Sequence, residues 1–247
     1  RYDIPTKGTA AHSFTLVHDS EEEAFRAQIA TMGPNTTLLI DTYDMRKGVE
    51  RAIAIAGTSL GAVRIDSGDL PVVVSQVRAH LDELGAQQTK IVVTNDLNEH
   101  TIAGLRGAPV DVFGVGTSVV TGSGYPAAGL VYKLVSRMDD NGQWLDVAKK
   151  SFHKTNPGGK KRAFRTFRKG RAHEEILTVG QGNPPEGAGE LSEHFMLGGI
   201  SQSSLSPAET LARAREHHLA TIATLPDTAF SLSAGDPALT VRLVGGE

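Results

Sequence analysis

Residues 4–116 alternate short β-rich runs with amphipathic helical stretches, and this alternation restricts the fold more than any other feature. The pattern predicts strands near residues 4–8, 37–41, 62–66, 90–94 and 110–114. Helices are expected between them. One starts at Ser20, with Glu23 completing a capping box, and ends near Met32 and Gly33. The others run over about 45–56, 70–84 and 97–105. Strands separated by helices at this spacing pair in parallel, because the helix returns the chain to the same end of the sheet.

Two α/β architectures fit, an open doubly wound sheet and a closed (β/α) barrel. Five strands fall short of the eight a barrel needs. On the barrel reading about three strands are expected ahead of Arg1, and the non-Met start at that position fits a C-terminal portion of a longer protein. After residue 133 the texture becomes hairpin-like and basic, with turn signals at 139–142 and 156–159 and a Gly- and Pro-rich loop over 180–189. Ser206-Pro207-Ala208-Glu209 signals one more helix, to about Ala223.

Each predicted strand ends in a polar cluster. The first is Lys7-Gly8-Thr9-Ala10-Ala11-His12-Ser13, the second Asp41-Thr42-Tyr43-Asp44 and the third Arg64-Ile65-Asp66-Ser67-Gly68-Asp69. Thr94-Asn95-Asp96 and Gly114-Val115-Gly116-Thr117-Ser118 follow. A parallel sheet gathers these ends on one side, where ligands bind in both candidate folds. A single Asp after a strand usually caps a helix. Five clusters that include an Arg and a His exceed what capping needs. Gly114 and Gly116 permit a concavity of backbone N–H groups, to which Thr117 and Ser118 add hydroxyls, as an anion site requires. Neither a dinucleotide fingerprint nor a P-loop is present. Asp66 or Asp96 can accept hydrogen bonds from vicinal sugar hydroxyls or orient a hydrated Mg²⁺. Arg64 offers a planar cation to a phosphate or an aromatic carboxylate. His12 would face the same mouth.

The net charge of −3 hides a basic segment at 149–173, with ten Lys or Arg and no acidic residue, so that the remainder carries −13. Phe152, Phe164 and Phe167 lie in it, which admits a nucleic-acid-binding module; a solvated or phosphate-facing charged lip is the preferred reading. The 39% hydrophobic content with 21% charged residues fits a globular protein rather than a disordered chain. No apolar run approaches the roughly 20 residues of a membrane-spanning helix, and the cytoplasm is the expected compartment. The absence of Cys excludes disulfides and thiolate metal sites.

Four motifs in register, Gly8-Thr9-Ala10-Ala11-His12-Ser13-Phe14, Leu39-Ile40-Asp41-Thr42-Tyr43-Asp44, Val63-Arg64-Ile65-Asp66-Ser67-Gly68-Asp69-Leu70 and Phe113-Gly114-Val115-Gly116-Thr117-Ser118, resemble those of nicotinate phosphoribosyltransferase. Lys149, Lys150 and the Asn156-Pro157-Gly158-Gly159-Lys160 turn resemble the family as well. The resemblance implies later βα units of an irregular phosphoribosyltransferase (β/α) barrel over 1–135 and part of a second α/β domain over 136–247. It implies transfer of phosphoribose from 5-phosphoribosyl 1-pyrophosphate to nicotinate, with Mg²⁺ and coupled ATP hydrolysis, within NAD biosynthesis. On the family pattern His12 is the histidine phosphorylated by ATP, and Arg64 and Asp66 line the phosphoribosyl pocket. Asn95 and Asp96 contact the ribose, while Gly114, Gly116, Thr117 and Ser118 form the 5′-phosphate loop. Asp41 sits near the pyridine and pyrophosphate, and Tyr43 is a further substrate-binding candidate. Family members are longer, and a neighbouring subunit supplies the residue that stacks on the pyridine. A homodimer follows, in which this chain holds about half of a site. Nicotinamide and quinolinate are the competing bases, and an inactive fragment with a basic nucleic-acid-binding segment is the alternative of another class.

Overall fold

The computed structural model describes residues 3–6, 8–151, 154–155, 157–180 and 182–245. Four of the predicted strands are present as β1 (Thr37–Leu39), β2 (Ala62–Ile65), β3 (Lys90–Val93) and β4 (Val112–Phe113). They form one parallel sheet in the order β1-β2-β3-β4. Right-handed crossovers combined with an order that never reverses bring the connecting helices to a single face.

The strand expected over 4–8 is not formed by its described residues; Lys7 lies outside them. Pro5 lacks the N–H that a ladder needs. The carbonyl of Thr37, in β1, instead accepts from the Thr9 hydroxyl at 2.9 Å. At the other edge β4 is shorter than expected, because the Asp111 carboxylate takes the Ile91 amide at 2.8 Å where a strand carbonyl would sit.

The helices of this part are α1 (His12–Leu16), α2 (Glu21–Met32), α3 (Met45–Ala56), α4 (Leu70–Glu83), α5 (Glu99–Gly104) and α6 (Thr117–Thr121). Local chemistry sets their ends. Ser20 accepts from the Glu23 amide, and the Glu23 carboxylate reaches back to the amide of Asp19 rather than to that of Ser20. Gly33, at φ 78, stops α2 in a conformation other residues resist. Asp44 caps α3 through the Lys47 amide, and Asn98 shares a capping box with Thr101. The expected helix over 97–105 therefore starts at Glu99, while Leu97 is buried in the core. The short helices α1 and α6 carry too few residues for a periodic signal and were not anticipated.

The core lies between the sheet and these helices. Leu38, Val63, Ile65, Ile91 and Val93 project from the strands onto Phe25 of α2, Val49 and Ala52 of α3, and Val74, Val77 and Leu81 of α4. Gly48 allows α3 to close on the end of β1: a Cβ there would lie 2.3 Å from the Ile40 carbonyl oxygen.

Helices α2 and α3 are joined by a buried charge. Glu21 is 2% exposed and accepts from Arg51 at 2.9 Å, while Arg51 also meets Glu22 at 2.6 Å. Burial pushes the Glu21 carboxyl above its ordinary value of 4.5, against the pull of Arg51. A raised carboxyl value favours the protonated native state, so this contribution is complete below about pH 4.5 and is lost as pH rises through the folded value. Glu21→Gln is therefore expected to flatten this acid-to-neutral component of the Tm–pH curve. Parallel curves for the two proteins would remove Glu21 as its source.

The chain divides into two compact units, one comprising Pro5–Gly129 and the other consisting mainly of the residues from Leu130 onward. In the second, the 139–142 turn signal becomes a hairpin of β5 (Ser136–Met138) and β6 (Trp144–Asp146). Asp139 accepts the amides of Asn141 and Gln143, and Gly142 has φ 79. A short pair, β7 (Lys150–Ser151) and β8 (Lys154–Thr155), follows. The turn expected at 156–159 begins at Asn156, which lies outside the described residues. The long strands β9 (Lys161–Arg168) and β10 (Arg171–Val179) turn through Lys169 and Gly170, both at positive φ. Their sheet also contains β11 (Gly189–Glu190) and β14 (Thr240–Val244), in the order β11-β9-β10-β14. Between these two lie the pair β12 (Met196–Leu197) and β13 (Ile200–Ser201) and the helix α7 (Pro207–Thr224), which carries the expected Ser206–Glu209 capping box.

Three of the ten basic residues of the segment, Arg162, Arg165 and Arg171, meet acidic residues outside 149–173. Arg162 makes a two-pronged contact with Glu190 at 2.9 and 2.7 Å, and Arg165 pairs with Glu175. Arg171 donates to the Leu225 carbonyl at 2.7 Å and lies 3.7 Å from Asp227. Arg162 also covers the Phe164 ring, which is itself buried. Phe152 lies outside the described residues. Pairing and burial take Arg162, Arg165 and Phe164 out of a nucleic-acid surface, which needs free cations and open stacking faces, whereas Phe167 is 48% exposed. No helix among the described residues is long and apolar enough to cross a membrane.

Candidate active site

Strand register determines which side chains meet. Leu39 is level with Arg64, Arg64 with Val92, and Val92 with Val112, all on the face opposite the helical core. Backbone bonds from Ile40 to Arg64, Thr94 to Ile65 and Gly114 to Val93 carry the ladder past the strand ends. The two-residue period then sets Asp41, Asp66, Thr94 and Gly114 on the same side as Arg64. The sheet thus presents its polar residues in one row beyond its C-terminal edge.

Asp41 anchors the row. Its side chain is 1% exposed, and one oxygen, Oδ2, accepts both the Asp66 amide at 2.8 Å and the Ser67 hydroxyl at 2.6 Å. The other oxygen, Oδ1, is buried without a hydrogen-bond partner and lies 3.9 Å from His12 Nε2. Asp66 is more open, at 30%. Its Oδ2 lies 3.7 Å from His12 Nε2 and 3.8 Å from an Arg64 terminal nitrogen, while its Oδ1 accepts the Thr94 hydroxyl.

His12 enters from the chain segment beside β1 and opens α1. Its Nδ1 is 3.0 Å from the Thr42 hydroxyl, and this contact leaves Nε2 directed at the two carboxylates. The ring remains 38% exposed, so a ligand can reach it. Arg64 donates to the Ala10 carbonyl at 3.2 Å, tying the His12 segment to β2, and its Nε is buried without a partner. Two orphaned buried polar atoms in one cluster are a departure from normal satisfaction, and they belong to the groups best suited to an ionic ligand.

Of the residues singled out in the sequence, the structure brings together His12, Asp41, Arg64, Asp66 and, through Thr94, Gly114. A Cβ on Gly114 would lie 2.6 Å from the Thr94 methyl. Tyr43 is 56% exposed. Asn95 and Asp96 are exposed and take consecutive positive φ values of 87 and 46, an uncommon backbone for non-glycine residues and one concentrated at functional loops. The Gly116 carbonyl accepts from the amides of Val119 and Val120, leaving the Thr117 and Ser118 amides ahead of the first helical bond. Among the described residues, no hydrogen bond or ion pair ties Tyr43, Asn95, Asp96, Thr117 or Ser118 to the cluster around His12. Thr42, Ser67 and Thr94 are the additions. Each lies within a polar cluster of the sequence, and for Thr94 the two-residue period from Val92 carries the signal.

No family model matches the chain. Among curated proteins it is 45% identical, over 254 aligned positions and 99% of its own length, to nicotinate phosphoribosyltransferase pncB1 of Mycobacterium tuberculosis. The chain belongs to the nicotinate phosphoribosyltransferase family. It is 37% identical to the Bacillus subtilis nicotinate phosphoribosyltransferase over 71% of its length. The chain spans 55% of the mycobacterial protein and 37% of the Bacillus one, about half or less of the relatives it matches. Two solved structures share the fold. Nicotinate-nucleotide pyrophosphorylase from Pyrococcus furiosus has a TM-score of 0.64 at 18% identity, covering 90% of this chain and 56% of that one. Human nicotinic acid phosphoribosyltransferase has a TM-score of 0.61 at 22% identity, covering 91% and 47%.

Proposed function

We propose that the protein transfers phosphoribose from 5-phosphoribosyl 1-pyrophosphate to nicotinate, forming nicotinate mononucleotide and pyrophosphate, with ATP hydrolysis coupled through phosphorylation of His12. The observation that carries this reading is the His12 imidazole fixed by Thr42 with Nε2 facing Asp41 and Asp66, beside Arg64. Family membership gives the reaction class.

In the transfer, the C1–O bond to pyrophosphate breaks and a bond from the pyridine nitrogen to C1 forms, with positive charge building on the ribose in between. Asp66 is the carboxylate exposed enough to face that charge, and Arg64 is placed for the phosphate side. Asn95 and Asp96 are assigned to the ribose hydroxyls. Gly114, Gly116, Thr117 and Ser118 are assigned to the 5′-phosphate, and Asp41 and Tyr43 to the base and pyrophosphate region. In the coupled step a neutral His12 nitrogen attacks the γ-phosphorus of ATP and ADP leaves. The charged residues around the ring then orient the pyrophosphate end of the site.

Among the described residues no three His, Cys, Asp or Glu side chains converge as metal ligands. Asp66, 30% exposed, is the carboxylate that would reach an Mg²⁺ carried mainly by substrate oxygens. Bound there, the ion would supply charge neutralisation for the leaving pyrophosphate.

The proposal includes the family barrel, of which the unreversed β1-β2-β3-β4 sheet would be an arc within residues 1–135, and a second α/β domain from 136. It also includes a cytoplasmic homodimer with shared sites. The deciding experiment offers nicotinate, nicotinamide and quinolinate to the protein with 5-phosphoribosyl 1-pyrophosphate, Mg²⁺ and ATP. Nicotinate is expected to be turned over in preference; a preference for the amide or the diacid would replace it as the substrate.

A further inference from the structure

We propose that Thr94 is a positioning residue: wedged between Asp66 and Gly114, it fixes which Asp66 oxygen faces His12 and ties that carboxylate to the loop beginning at Gly114. Its place in catalysis rests on the phosphoribosyl-transfer reading above. Thr94 closes β3, its amide bonded to the Ile65 carbonyl at 3.0 Å. Its hydroxyl donates to Asp66 Oδ1, leaving Oδ2 between His12 and Arg64 at 3.7 and 3.8 Å. Its methyl lies against Gly114, where a Cβ would come within 2.6 Å of it.

A threonine is stiff about χ1, so the hydroxyl and methyl directions are set together. Moving the methyl away from Gly114 therefore turns the hydroxyl away from Asp66. The next two residues, Asn95 and Asp96, are at positive φ, so Thr94 is also the last regular residue before the loop assigned to the ribose. One side chain thus couples the carboxylate after β2 to the glycine after β4. Serine keeps the hydroxyl and drops the methyl. Valine keeps the shape and drops the hydroxyl.

The test has two arms on the 247-residue chain. The first needs no ligand and measures denaturant unfolding of Gly114→Ala, Thr94→Ser, the double variant, Thr94→Val, Asp66→Ala and their double. Gly114→Ala is expected to destabilise, and Thr94→Ser to relieve that loss by removing the methyl it strikes. Both cycles are expected to depart from additivity by about threefold or more in the unfolding constant, as for residues in contact. Additive behaviour in both overturns the proposal, whatever the ligand does.

The second arm repeats the set with 5-phosphoribosyl 1-pyrophosphate and Mg²⁺, reading the ligand-induced rise in Tm. Thr94→Val is expected to weaken binding about tenfold, the scale of one hydrogen bond to a charged group, and Thr94→Ser to retain most of it. Thr94→Val that binds as the unaltered chain does overturns the positioning role. If the unaltered chain, which spans 55% of its mycobacterial relative, shows no rise, the ligand-free cycles alone decide Thr94.

Discussion

Asp66→Asn is expected to lower kcat/KM for phosphoribosyl transfer by about 10²- to 10³-fold, the range for losing one preorganised electrostatic group. The local structure offers little reason for the fold to change. The backbone amide of residue 66 still donates to Asp41, and an asparagine oxygen can still accept from Thr94. What disappears is the negative charge 3.8 Å from Arg64 and 3.7 Å from His12 Nε2. On the proposed reading, positive charge developing on the ribose then lacks the exposed carboxylate assigned to it, because Asp41 is buried, with one oxygen committed to Asp66 and Ser67. Steady-state kinetics beside a denaturation curve checks this. A variant that unfolds like the unaltered chain and retains rates within about threefold would remove Asp66 from the reaction.

His12→Ala is expected to abolish ATP hydrolysis coupled to transfer while leaving slow, ATP-independent transfer. Removing the ring deletes the only group here assigned to accept the γ-phosphate, whereas Arg64, Asp66 and the loop from Gly114, proposed for the sugar phosphate, remain. The loss in ATP turnover is expected to be complete within detection, on the scale seen when a covalent nucleophile is removed. Because Nδ1 is bonded only to the Thr42 hydroxyl and the ring is part-exposed, the substitution opens space at the surface rather than a cavity in the core. ADP release and mononucleotide formation should be followed separately. Unchanged ADP release in His12→Ala would refute the role given to this residue.

Much of the first unit is legible in sequence because its signals are local. Ser20 with Glu23 marks a helix start by side chains that satisfy free amides, as Ser206 with Glu209 does in the second unit, and Gly33 marks a stop, whereas apolar periodicity alone starts α5 at 97, ahead of its cap Asn98. The segment over 4–8 misled because its place ahead of a polar cluster suits a strand, while pairing depends on a neighbour and Pro5 withholds a donor. Helices α1 and α6 were missed because five residues carry no readable period.

At the site, the period of two predicts that Asp41, Arg64 and Asp66 share a side, since 64 and 66 alternate and register adds 41. It does not reveal that Asp41 spends one oxygen on holding Asp66 and Ser67. That division of roles arises from distances between turns that are remote in the chain. Nor does the charge run over 149–173 disclose its partners, Glu175, Glu190 and Asp227, which lie beyond it.

The central claim is that His12 links ATP to phosphoribosyl transfer, and a chase of labelled protein tests it most directly. The protein is treated with ATP labelled at the γ-phosphate, digested and mapped, before and after addition of 5-phosphoribosyl 1-pyrophosphate and nicotinate. The account expects one acid-labile phosphoryl group on His12 that is discharged as nicotinate mononucleotide forms. Label on another residue, or label on His12 that persists through mononucleotide formation, would contradict it.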